Sequence, residues 1–152
     1  DTPSSPGTET PTANSTVQTA TPATQIATPG HTLTPPADIC AQLDLRFLSA
    51  TSNIAAWRLQ NDSGVALTIT RIEIDWPKSN DAIFNTFLNG KVIWSDEDLT
   101  SPTIITTWIG DPEDRSADRL SRVEFFFGTL AAHGGYDLHL WFENGCEVSA
   151  AN

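Results

Sequence analysis

The sequence predicts an all-β fold: an antiparallel β-sandwich preceded by an extended Thr/Pro-rich N-terminal arm. Three observations predict it. Composition changes abruptly near Asp38, where a segment without aromatics or cations gives way to one holding all 13 aromatic and all 8 basic residues. Beyond that point apolar residues alternate with period two and almost never recur at helical spacing. Turn dipeptides, Asn89-Gly90, Gly134-Gly135 and Asn144-Gly145, break the alternation into short runs.

Residues 1–37 form the arm. They contain 11 Thr, 7 of the 10 Pro, 3 Ser and only two charges, Asp1 and Glu9, so they have no material for a core of their own. Ala20-Thr21-Pro22 recurs as Ala27-Thr28-Pro29, and Thr34-Pro35-Pro36 closes the segment. Each proline restrains itself and its predecessor to extended backbone, and 37 residues in polyproline II would reach on the order of 100 Å. Composition reads as a glycosylated stalk or linker. A docking strand is the other reading, carried by the β-branched threonines and by three spaced apolar anchors, Val17, Ile26 and Leu33.

The domain, residues 38–152, opens on Leu43, Leu45 and Phe47 alternating with polar partners, a half-buried strand. Trp57 and Leu59 continue the pattern. Val65, Leu67 and Ile69 then give way to Ile72, Ile74 and Trp76, a change of parity near Thr70 and Arg71 that predicts a β-bulge or a crossing between sheets. Pro77 ends the run. Asn89-Gly90 predicts a hairpin between Phe87-Leu88 and Val92-Ile93-Trp94, and Asn144-Gly145 another between Trp141-Phe142 and Cys146-Glu147-Val148. Thr103 to Trp108, Val123 to Phe127 and Tyr136 to Phe142 supply further strands. Seven to nine short strands in 115 residues point to a sandwich of immunoglobulin-like build.

Cys40 and Cys146, the only cysteines, lie near the two ends of the domain and are expected to form one disulfide. No neighbouring thiol or imidazole gives them zinc-ligand spacing. An extracellular or cell-surface location is expected from this disulfide and from the missing initiator methionine. The absence of methionine suggests a chain processed to begin at Asp1. No run of about 18 apolar residues is present, so no membrane span is expected.

Net charge is −11, with 8 basic against 19 acidic residues, which disfavours a nucleic-acid surface. Nucleophile elbows, His-Glu-x-x-His, phosphate loops and Cys-x-x-Cys are missing, so neither catalytic residues nor a cofactor are expected. Asp111, Glu113, Asp114 and Asp118 could offer oxygens to calcium, but Arg115 and Arg119 interrupt them and favour ion pairing. Asn14-Ser15-Thr16 and Asn61-Asp62-Ser63 satisfy the N-glycosylation rule. Strand phase places Phe126 and Trp141 on outward faces among polar neighbours, a candidate contact surface for a partner chain or a sugar ring.

An arm of residues 1–37 followed by a Cys-linked sandwich resembles, in architecture, the donor-strand-exchange pilus subunits. That resemblance implies a structural subunit of an extracellular filament, binding copies of itself head to tail, its arm docking on or inserting into a neighbour's sandwich between about Asn14 and Thr28. The alternative is a carbohydrate-binding module on a Thr/Pro linker, with Trp141, Trp108 and Trp94 as its candidate sugar-stacking residues.

Overall fold

The computed structural model describes residues 37–152. The arm anchors Val17, Ile26 and Leu33 and the sequon at Asn14 lie outside the described residues. A single helical turn, Ala37–Cys40, leads into ten strands. They are β1 (Leu43–Thr51), β2 (Ile54–Asn61), β3 (Leu67–Asp75), β4 (Ile83–Leu88), β5 (Lys91–Asp98), β6 (Thr103–Ile105), β7 (Ser116–Ala117), β8 (Leu120–Phe127), β9 (Asp137–Phe142) and β10 (Glu147–Ala151). Two sheets result, one in the order β1-β2-β8-β4-β5 and one in the order β10-β9-β3-β6, with β7 beside the start of β3. Every pairing is antiparallel.

Alternation decides which side of each strand is buried. On β2 the inward positions Ala55, Trp57, Leu59 and Asn61 are buried, and on β8 so are Ser121, Val123, Phe125 and Phe127. Ile72, Ile74, Leu138, Leu140 and Phe142 face them from the second sheet within one continuous core. An aromatic cluster lies at its centre. Trp57 meets Phe47, Phe125 and Tyr136 edge-on, with ring centroids 5.1, 5.5 and 5.5 Å away. Edge-on geometry places ring hydrogens against the negative π-face.

The parity change near Thr70 is a bulge: the register of β3 against β9 shifts between Ile69 and Arg71. The same strand pairs with β7 before the bulge and with β6 after it. Asn89 and Gly90 both take positive φ, 52° and 80°, as a two-residue hairpin turn requires. At the second hairpin only Gly145 does so, at 83°. Asn144 instead accepts the Cys146 N–H through its side chain at 3.1 Å, giving a wider turn with the glycine in the left-handed position. Several expected strand residues fall outside strands, Trp76 and Tyr136 by a single position next to β3 and β9. Val65 is 54% exposed in the loop before β3, and Thr106 to Trp108 leave the sheet after Ile105.

Both sides of the sandwich are covered by the domain's own chain. On one side the Cys40–Cys146 disulfide, spanning 106 positions, ties the segment before β1 to the start of β10. On the other, the Ile109 N–H donates to the Ile93 carbonyl at 2.9 Å and Trp108 packs against the core, carrying the chain from β6 back to β5. No helix among the described residues is long and apolar enough to cross a membrane.

Closing a loop of this length restricts the unfolded chain by about 4 to 5 kcal/mol in the chain-entropy picture. Replacing both Cys40 and Cys146 by Ala is expected to lower stability in water by a corresponding amount and the urea midpoint with it, while the denaturant slope rises because the unlinked unfolded chain exposes more surface. Urea titration followed by tryptophan fluorescence checks it.

Candidate functional site

Trp141 sits on the outer face of the second sheet, where period two puts it opposite the buried Leu140 and Phe142. It is half-buried because its neighbours lie against it. His139, two residues back on β9, stacks on the indole at 3.9 Å, and the Arg71 guanidinium from β3 lies 4.5 Å from the ring centroid. Arg71 also pairs with Glu73, and His139 Nε2 stands 3.6 Å from the Glu147 carboxylate. The patch is therefore an indole held between the Arg71 guanidinium and the His139 ring, with the Glu73 and Glu147 carboxylates beside them.

Phe126 occupies the outer face of the other sheet. It packs on Phe87 with ring centroids 4.9 Å apart, in register with Ile54 of β2 and Asn85 of β4. Phe126 and Trp141 thus belong to separate sheets and form two surfaces rather than one. The other two tryptophans named for sugar stacking lie against the core: Trp94 is buried, and Trp108 packs on it with Arg115 5.2 Å from its ring.

The acidic loop carries a different arrangement from a cation site. Asp114 pairs with Lys91 and also accepts the Asp111 N–H at 3.2 Å, closing the short 3-10 turn Pro112–Arg115. Arg115 donates to the Ile69 carbonyl at 2.9 Å. Asp118 lies instead in the loop after β7, lining an open cleft of about 640 Å³ with Asn61, Asp62 and Arg119. Among the described residues no three His, Cys, Asp or Glu side chains converge as a metal-holding group. The hydrogen bond from Lys91 holds the Asp114 carboxyl below the usual carboxylate range, against a smaller opposing effect of desolvation.

Asn61 is buried at 3% exposure, with both amide hydrogens in use. Its Nδ2 donates to the Val65 carbonyl at 2.8 Å and to the Ala117 carbonyl at 3.1 Å, while Oδ1 accepts from the Ser63 hydroxyl. In the folded domain a sugar on this nitrogen would replace one of the two amide hydrogens and so break one of these donations. Asn61 instead locks the loop between β2 and β3 onto β7.

Strand phase alone located Phe126 and Trp141, but not the partners that define their surfaces. Phe87, Arg71 and His139 needed cross-strand register, which period two does not supply. Comparison with family models, with curated proteins and with solved structures returns no match.

Two expectations follow. Asn61→Ala removes the side-chain donor to the Ala117 carbonyl and the acceptor of the Ser63 N–H, and should cost about 1 to 3 kcal/mol, read from the urea midpoint. Because the folded Asp114 pKa is depressed, the stability from its pair with Lys91 is complete above the ordinary carboxylate pKa and is lost as pH falls through the lowered value. Stability measured from pH 6 downward should therefore fall less steeply in Lys91→Ala than in the unaltered chain.

Proposed function

We propose that this chain is an extracellular structural module: an immunoglobulin-like sandwich displayed on a Thr/Pro-rich arm that bridges to a neighbouring copy in a filament. Strand order supports the immunoglobulin-like part. The series β1-β2-β8-β4 and β10-β9-β3 follow the A-B-E-D and G-F-C pattern of that architecture, with β5 and β6 added at one side. Tyr136 supports it too. It stands just before β9, the strand in the F position, and its hydroxyl donates to the Ala132 carbonyl four residues upstream at 2.9 Å, the arrangement called a tyrosine corner.

The observation that carries the functional reading is the self-covered core. Among the described residues a disulfide ties the segment before β1 to the start of β10, and the segment around Trp108 packs on the core beside β5 and β6, which favours an arm that docks on a neighbour over one that fills a missing strand. An arm reaching a second copy on this architecture adds to a sheet edge or lies across a face. Threonines along residues 1–37 remain the glycan candidates, and secretion is the compartment that fits a single long-range disulfide. The carbohydrate-module alternative gains less, since Trp94 and Trp108 are taken up by the core.

Negative-stain electron microscopy of the secreted full chain beside a chain beginning at Asp38 tests this reading. Fibres from the first and single particles from the second are expected. Single particles from both, across the concentration range of secretion, would contradict it.

A further inference from the structure

Sheet register brings three arginines into one row. Arg46 on β1 pairs opposite Arg58 on β2, and Arg58 opposite Arg122 on β8. All three occupy outward positions, because Leu45, Trp57, Leu59 and Val123 beside them are buried in the core. Strands lie about 4.8 Å apart, so the three arginine positions span about 10 Å of backbone across the sheet. Like charges directly opposite each other repel, and this chain has 19 acidic residues with which to neutralise 8 basic ones.

Neutralisation of the row is incomplete at its centre. Arg46 Nε lies 2.7 Å from Asp44, and Arg122 Nε lies 2.9 Å from Glu124. Every other arginine in the chain has an oxygen partner: Arg71 has Glu73, Arg115 has the Ile69 carbonyl, and Arg119 reaches Asp62 at 4.0 Å. Among the described residues Arg58 has none, and its Nε is buried without an acceptor there. A cleft of about 380 Å³ opens beside it, lined by Arg58, Gln60, Arg119 and Leu120. A guanidinium fork without an acceptor at an open cleft is a donor set for a carboxylate or a sulfate.

We propose that this row binds the oxyanions of an acidic polysaccharide, with Arg58 as the central ligand and Arg46, Arg119 and Arg122 flanking it. Cations repeating at strand spacing meet successive anionic groups of one polymer running across the strands. Phe126 stands four residues along β8 from Arg122 on the same face, packed on Phe87, and offers an apolar surface to sugar rings. Charge and flat apolar surface on one face together match a sugar acid. Duplex nucleic acid, with one charge per 1.7 Å of axis, calls for a broader cationic surface. The net charge of −11 does not forbid the contact, since at physiological salt repulsion beyond about 8 Å is largely screened while contact pairs are not. This assignment does not depend on filament formation.

Affinity electrophoresis of the full chain in gels containing polygalacturonate, dextran sulfate or neutral dextran tests it. Retardation by at least one of the charged polymers is expected, carboxylate and sulfate being told apart by which of them acts, with none by neutral dextran. Arg58→Gln should weaken that retardation about tenfold or more, as loss of a charge-assisted contact implies, and Arg58→Lys should fall between. Circular dichroism checks that the variants fold, and if Arg58→Gln does not, the exposed Arg122→Gln carries the same test. Absence of retardation by both charged polymers, or equal retardation of wild type and a folded variant, overturns the proposal. Self-association that disappears in Arg58→Gln without any polymer retardation assigns the row to contact between copies and likewise overturns it.

Discussion

The packing of Tyr136 is the constraint on which the two-layer arrangement depends most. It enters from the segment that begins β9 in the second sheet, yet its ring contacts Trp57, Phe47 and Phe127, all from the first. Its hydroxyl is buried as well, so it needs partners: it accepts from Asn80 Nδ2 at 2.8 Å and donates to the Ala132 carbonyl at 2.9 Å. Asn80, itself fully buried, accepts the Ala132 N–H at 2.9 Å. One side chain thereby joins the sheets through its ring and pins two connections, Lys78–Asn80 and the segment before β9, through its oxygen. Burial raises the tyrosine pKa despite the hydrogen bond from Asn80, which keeps the hydroxyl protonated and available as a donor.

Much of this was legible in the sequence because it follows from period two and turn chemistry. The bulge after Ile69, the Asn89-Gly90 turn and the strands carrying Leu45, Trp57, Phe125 and Leu140 all express local rules. Val65 was not legible. Its alternation with Leu67 and Ile69 continues a strand pattern, but Gly64 at φ 74° and the Asn61 amide hold that stretch in a loop. Asn61 reads as a glycosylation sequon in one dimension and as a buried clamp in three, since burial depends on β7 arriving from 56 positions away. The arginine row shares this character. Arg46, Arg58 and Arg122 are unremarkable singly, and only register makes them neighbours.

The surface chemistry divides cleanly between the two layers. The first sheet presents arginines and the Phe87–Phe126 pair, and the second presents Trp141 among Arg71, Glu73, His139 and Glu147. In the second patch Arg71 is paired with Glu73, which suits a solvated face; among the described residues the first patch leaves Arg58 without a carboxylate. On the proposed reading, the outer faces and edges of a self-sufficient sandwich are left for its partners, and the arm contributes reach rather than core.

That self-sufficiency is the central claim, and thermal unfolding of the chain beginning at Asp38, followed by circular dichroism beside the full chain, tests it most directly. The account expects two cooperative transitions with coincident midpoints, since the core and its disulfide lie within residues 38–152. A broad, non-cooperative loss of signal in the shorter chain, or a midpoint many degrees lower, would contradict it and return the arm to the role of a missing strand.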